Sequence, residues 1–303
     1  MEFCLTPDAA AEATIQPLKR FPLDAAIIFS DILIVPKALG VDVKFVEAEG
    51  PKLEKIENIN DINKLNLEIG IFDKVCTAIS KVRKEIDINY KDKTLIGFAG
   101  APFTISAYMI EGSGSKDFMN VKKFMIKHRN EYSKLIDKIV DATITYLSMQ
   151  IESGAEVIKI FDSWAGCLSD EDFKDWVIKP IERITTAIKS KYPNIPIIVF
   201  ARGVGAKLKT ISKKTSIDAL AVDQYTDINW AFKNLNGKVI QGNLDNALLA
   251  FGERDQILKQ AEKILKANRD SQLVFNLGHG ILPETPIDNM KALVEYVVSY
   301  KNG

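Results

Sequence analysis

Residues 156–163 read EVIKIFDS, an apolar, β-rich run that ends in a carboxylate and a hydroxyl. The run is too short for a helix of ordinary length, and its Val, Ile and Phe favour a strand covered on both faces. Six other stretches follow the same rule: 25–30, TLIGFAG at 94–100, IPIIVFA at 195–201, IDALAVD at 217–223, KVIQGNL at 238–244 and QLVFNLG at 272–278. Between them lie amphipathic segments such as 131–152 and 254–267, whose apolar residues recur at three- and four-residue spacing and predict helices laid over a sheet.

Strand, helix and strand repeated along the whole chain predict an α/β fold with a parallel sheet. Polar and glycine residues gather where the strands end: Ser30-Asp31, Gly100-Ala101-Pro102, Asp162-Ser163, Arg202-Gly203, Asp223, Asn243 and His279. That is where a (β/α)8 TIM barrel builds its active site. A doubly wound open sheet fits the same alternation, but no glycine-rich phosphate turn follows residue 30.

Eight strands close such a barrel and seven are legible, so the expectation is a barrel with its first strand missing from this chain. The first helical segment, 6–20, starts almost at Met1 and leaves no room for an earlier strand. An open barrel would leave 25–30 and 272–278 as unpaired edges. Residues 1–303 are read as one domain, incomplete at its N-terminus, with 41–70 as a surface excursion.

Composition narrows the partners. Forty basic and forty acidic side chains give the 303-residue chain no net charge, which argues against a general nucleic-acid binder. No leader-like segment opens the chain and no uninterrupted apolar stretch is long enough to cross a bilayer, so a cytoplasmic protein without membrane contact is expected. Cys4, Cys76 and Cys167 are scattered, suggesting a reducing compartment and no disulfide framework. They share no metal-ligand spacing with His128 and His279, so no metal site is expected.

Motif chemistry is sparse. The glycine pairs in EGSGSKDF (111–118) and ARGVGAKL (201–208) lack the remainder of a nucleotide-binding loop. Ser30, Ser106 and Ser163 sit in no nucleophile elbow, Cys167 reads as a structural thiol, and His128 reads as a solvated helix residue. Asp31 stands alone in the apolar run AAIIFSDILIVP (25–36), where it either caps the strand end or serves chemistry. His279 lies between two glycines in FNLGHGILPET, open to either a structural or a functional reading. Asp31, Tyr108, Ser163 and His279 form a polar set suited to recognition and proton chemistry without a cofactor.

Five segments taken in order, TPDAAAEATIQPLKRFPLDAAIIFSDILIVPKALG, IGFAGAPFTISAYMIEGSGS, IKIFDSWAGCLS, VIQGNLD and FNLGHGILPETP, resemble the uroporphyrinogen decarboxylase family. The resemblance implies a (β/α)8 barrel, usually a homodimer, that works without metal or organic cofactor. Its substrate would be uroporphyrinogen III, with the partly decarboxylated intermediates, and its product coproporphyrinogen III, in haem biosynthesis. Asp31 matches the family's central aspartate, which accepts hydrogen bonds from pyrrole N–H groups. Tyr108, Ser163 and His279 match further substrate-contacting positions, Tyr108 near Asp31 and the other two on substrate carboxylates.

The likeness departs at one place. The family's first strand carries a Met-Arg-Gln-Ala-Gly-Arg segment whose arginines bind carboxylates, and this sequence has none, with Arg202 the one nearby cation. The expectation is an upstream start for the full gene product, and weak binding and poor turnover for residues 1–303 alone. Two rival readings are a truncated, tetrapyrrole-binding remnant and a related cobalamin-linked methyltransferase. The second should carry a His-x-Cys pair and a distant Cys, which this sequence lacks.

Overall fold

The computed structural model describes residues 1–47, 49–235, 237–267 and 272–300. Its strands are β1 (Ala25–Ile27), β2 (Val43–Val46), β3 (Gly50–Leu53), β4 (Thr94–Gly100), β5 (Val157–Asp162), β6 (Ile197–Ala201), β7 (Ala219–Ala221), β8 (Val239–Leu244) and β9 (Leu273–Leu277). Seven of them form one parallel sheet in the order β1-β4-β5-β6-β7-β8-β9. Every one of the seven strand expectations lands on a strand of this sheet, in sequence order. Helices intervene between neighbours, among them Arg129–Glu152 between β4 and β5 and Arg254–Ala267 between β8 and β9. This is the α/β barrel pattern.

The sheet is curled, since Lys159 on β5 reaches Gln241 on β8 across two intervening strands, and an apolar layer covers each face. Ile158, Ile160, Ile197, Val199, Leu220 and Ile240 join the main core with the helices outside. Their alternate neighbours Ile198, Phe200, Ala219 and Ala221, with Val157 and Phe161 against them, form a second cluster on the concave face. Strand residues alternate sides, so one continuous apolar run supplies both layers. Each fully buried Ile or Phe contributes about 1.5–3 kcal/mol, which holds the helical shell against the sheet.

The expectation of burial on both faces fails at the edges. β9 alternates half-buried and exposed residues, and Ile27 at the end of β1 is 42% exposed. Among the described residues no strand lies between β1 and β9, so only one neighbouring strand covers each. Region 41–70 is more ordered than a surface excursion. β2 and β3 pair antiparallel, and Leu53 and Ile56 donate their N–H groups to Gly112 O (2.8 Å) and Met109 O (2.9 Å). Its many charges hid the hairpin, because a hairpin on the surface needs apolar residues on one face only. His128 is exposed, as expected, at the junction of helices Met119–Lys127 and Arg129–Glu152.

Candidate active site

The run around Asp31 leaves the sheet with its polar groups assigned one after another. Ile28 N–H continues the ladder to Ile96 O (3.0 Å), Phe29 N–H donates to Thr14 Oγ1 (2.8 Å), and Ser30 Oγ meets Tyr146 Oη at 3.3 Å. Asp31 Oδ1 then accepts Leu33 N–H at 2.8 Å, turning the chain into the buried helix Ile34–Ala38. Asp31 therefore does cap the strand end, but with one oxygen. No described residue donates to Oδ2. Burial among Ile28, Leu33 and Ile34 raises the carboxyl above its ordinary range, and the Leu33 N–H only partly offsets this.

Tyr108 lies on helix Pro102–Glu111, where every other residue is buried. It is the one side chain that this helix leaves half-exposed, which points it out of the core. Burial pushes its phenol up, and the charge of Asp31 adds to the shift. The Tyr108 ring lies 5.9 Å from Trp164, which lies 4.9 Å from Phe118.

Ser163 is half-buried between Asp162 and Trp164, and both neighbours are tied to the same helix. Thr104 Oγ1 donates to Asp162 Oδ1 (2.6 Å) and accepts Trp164 N–H (3.1 Å). Asp162 is fully buried on the helix-facing side and its Oδ2 has no partner among the described residues. Loss of water pushes its carboxyl up to about 7, against the pull of the Thr104 hydroxyl.

His279 follows β9. Gly278 packs so closely that a Cβ there would come within 2.3 Å of Gln224 N, and Asn246 Nδ2 donates to Gly280 O (2.7 Å). Both contacts fix the backbone on either side of the imidazole. Its ring meets Phe200 edge-to-face at 6.3 Å. Burial, then the Arg202 charge, lower its pKa, with Asp223 opposing, so His279 is a neutral hydrogen-bonding group near pH 7. Asp223 is held by Gly203 N–H (2.6 Å) and the Thr226 hydroxyl (2.8 Å), and Arg202 Nη2 reaches Tyr225 Oη at 3.5 Å.

A belt of rings runs across the sheet to His279: Phe98 to Phe161 at 5.5 Å, Phe161 to Phe200 at 6.1 Å, and Phe200 to His279. Asp31 is near enough to Tyr108, and Arg202 to His279, for the charge of one to bear on the titration of the other, and Ser163 precedes Trp164 just past the end of β5. No direct contact joins Asp31 to His279 among the described residues. Sequence reasoning missed the belt and the buried Lys159, and it placed Asp162 at a strand end without carrying it into the candidate set. The phenylalanines at 98, 161 and 200 each sit near the end of a strand run, a signal that was present but not separable from ordinary core. No group of three or more His, Cys, Asp or Glu among the described residues could hold a metal ion.

Residues 1–300 match the family model described as uroporphyrinogen decarboxylase (URO-D). Curated proteins named uroporphyrinogen decarboxylase are similar along nearly the whole chain. That of Wolbachia sp. subsp. Brugia malayi (strain TRS) is 44% identical over 300 residues, covering 99% of this chain and 84% of that protein. That of Rickettsia bellii (strain RML369-C) is 42% identical over 302 residues, covering 99% and 88%. That of Paracoccus denitrificans (strain Pd 1222) is 40% identical over 298 residues, covering 98% and 87%. Among solved structures, a methyltransferase from Methanosarcina mazei superposes with a TM-score of 0.82 at 20% identity, covering 97% of this chain and 86% of that one. That likeness shows the shared barrel-type fold alone.

Proposed function

Because this chain belongs to the uroporphyrinogen decarboxylase family, it is a carboxy-lyase of haem biosynthesis, and we propose that Asp31, Tyr108, Ser163 and His279 carry its reaction. The substrate, uroporphyrinogen III, has four pyrrole N–H donors and eight carboxylates. The enzyme removes carbon dioxide from the four acetate arms and leaves methyl groups, giving coproporphyrinogen III.

The observation that carries the site reading is the divided carboxylate of Asp31. Leu33 N–H holds Oδ1 in place, which leaves Oδ2 for pyrrole N–H groups. Protonation of a pyrrole ring carbon makes the ring cationic. The acetate C–C bond then breaks, its electron pair enters the ring, and carbon dioxide departs. Protonation of the resulting exocyclic methylene and loss of the ring-carbon proton restore the aromatic pyrrole, so each arm consumes one proton. A fixed carboxylate at the ring nitrogens stabilises the cation without reorganising. Unit charges 4 Å apart at an effective dielectric near 20 interact by about 4 kcal/mol.

Tyr108 orients or hydrogen-bonds beside Asp31, while Ser163 and neutral His279 donate to substrate carboxylates. The ring belt offers an apolar face to the pyrroles, and Arg202 adds a positive charge near His279. The same reading includes a homodimer working in the cytoplasm, with no nucleic-acid or membrane partner. Among the described residues no helix is long and apolar enough to cross a membrane. Incubation with uroporphyrinogen III under anaerobic conditions should yield species with seven, six, five and then four carboxylates. His279→Gln should raise KM about tenfold with a smaller effect on kcat, in line with about 1.5–3 kcal/mol for one hydrogen bond to a charged group. An unaltered KM would remove His279 from the binding site.

A further inference from the structure

Lys159 occupies a place where lysine is rare. It lies on β5 between Ile158 and Ile160, which face the helices, so its side chain projects to the concave face with Val157 and Phe161. It is only 8% exposed. Its Nζ donates to Gln241 Oε1 at 2.6 Å. Gln241 is on β8, and β6 and β7 lie between the two strands in the sheet, so this bond crosses the inside of the curl. Room for the crossing comes from β7, which offers the methyl groups of Ala219 and Ala221 to that cluster.

The ammonium lies 4.8 Å from the centre of the Phe161 ring and 5.9 Å from that of Phe200. Those are the two middle members of the ring belt that ends at His279. Lys159 therefore lies on the concave face against the rings of Phe161 and Phe200, the second of which also meets His279.

The charge has little to balance it. Loss of water is the one influence that shifts it, bringing its pKa down to about 8, so no acidic group of the described residues lies close enough to offset it. An ammonium has three donors, and one is used by Gln241. Aromatic faces attract a cation but do not accept its remaining hydrogens as an anion would. A buried charge without a counter-ion costs several kcal/mol, far more than a tie between two strands needs, since an uncharged side chain could make that tie.

Resting on the decarboxylase reading above, the geometry points to Lys159 as the docking cation for an acetate carboxylate of uroporphyrinogen that hangs below the ring plane into the barrel. The acetate held there belongs to a pyrrole other than the one reacting, because pairing the departing carboxylate would hold its electrons on oxygen and oppose release of carbon dioxide. Lys159 is thus a specificity residue. It favours substrate with acetate arms over product with methyl groups at the same positions.

The test uses Lys159→Gln and Lys159→Met, two uncharged variants, with Lys159→Met covering the case in which Gln disturbs Gln241. Folding of each is checked by thermal melting. Turnover of uroporphyrinogen III is measured beside equilibrium binding of the non-reacting uroporphyrin III and coproporphyrin III, read by quenching of tryptophan fluorescence. The expected result is a KM raised about tenfold with kcat within about twofold, and a uroporphyrin-over-coproporphyrin preference that falls about tenfold. A strand tie alone would leave that preference intact. Unchanged KM and unchanged preference in a folded variant would overturn the inference. If the parent bound uroporphyrin through Lys159 yet released no carbon dioxide, the decarboxylase reading would fail while this one stood.

Discussion

Asp162→Asn separates charge from shape at a position just behind the site. The parent carboxyl is fully buried, Oδ1 accepts the Thr104 hydroxyl at 2.6 Å, and Oδ2 has no partner. Its folded-state pKa is near 7 against 3.8 in an unfolded chain. Between those values the folded protein holds a proton that the unfolded chain has released. Stability therefore falls as pH rises from about 4 to about 7, and the loss is complete above 7. A difference of about three pH units at about 1.4 kcal/mol apiece gives about 4 kcal/mol as an upper figure. Asparagine keeps the acceptor for Thr104 and, like the protonated acid, places a donor where Oδ2 stood. The assay is urea unfolding of parent and variant at pH 4.5, 6 and 8. The variant should lead by only about 1 kcal/mol at pH 4.5 and by several kcal/mol at pH 8. A parent-minus-variant difference that stays flat, or moves the other way, would refute the account of Asp162 as a carboxyl kept neutral by burial.

Gly278→Ala should place a Cβ within 2.3 Å of Gln224 N and 2.8 Å of Gln224 Cα, backbone atoms that no rotamer change can move. A loss of roughly 1–3 kcal/mol in thermal unfolding is expected from such overpacking, with KM raised because His279 shifts with the chain. The paired measurement is decisive in this case, since a stability loss with normal KM would detach Gly278 from the placement of His279.

Much of the fold is legible in the sequence because parallel strands covered on both faces read as short apolar runs. TLIGFAG and 254–267 coincide residue for residue with β4 and with helix Arg254–Ala267. The edges β1 and β9 read the same way although only one side of each is covered, since a run of Ile, Leu and Val does not record which neighbours are present. The hairpin β2/β3 escaped notice because Lys44 and Lys52 interrupt its short apolar runs and its anchors, Met109 and Gly112, are far along the chain.

The site divides along similar lines. Asp31 stood out as a carboxylate in apolar sequence; the structure shows its Oδ1 capping the turn, and its role toward substrate stays the proposal made above. Lys159 was equally visible in EVIKIFDS, but its meaning depends on Gln241, eighty-two residues away across the curled sheet. Asp162 and the phenylalanines of the belt share that limit. Alternation inside a continuous apolar run does not reveal which side chains face the helices and which face the barrel.

The central claim is that Asp31 stabilises the cationic pyrrole, and turnover of uroporphyrinogen III by Asp31→Asn tests it most directly. Asparagine preserves size and can still accept Leu33 N–H, so the fold and its melting temperature should persist. The account predicts a kcat lower by about 10²–10³, matching the ~2.7–4 kcal/mol lost with one preorganised group. A folded Asp31→Asn enzyme that turns over at the parent rate would contradict it.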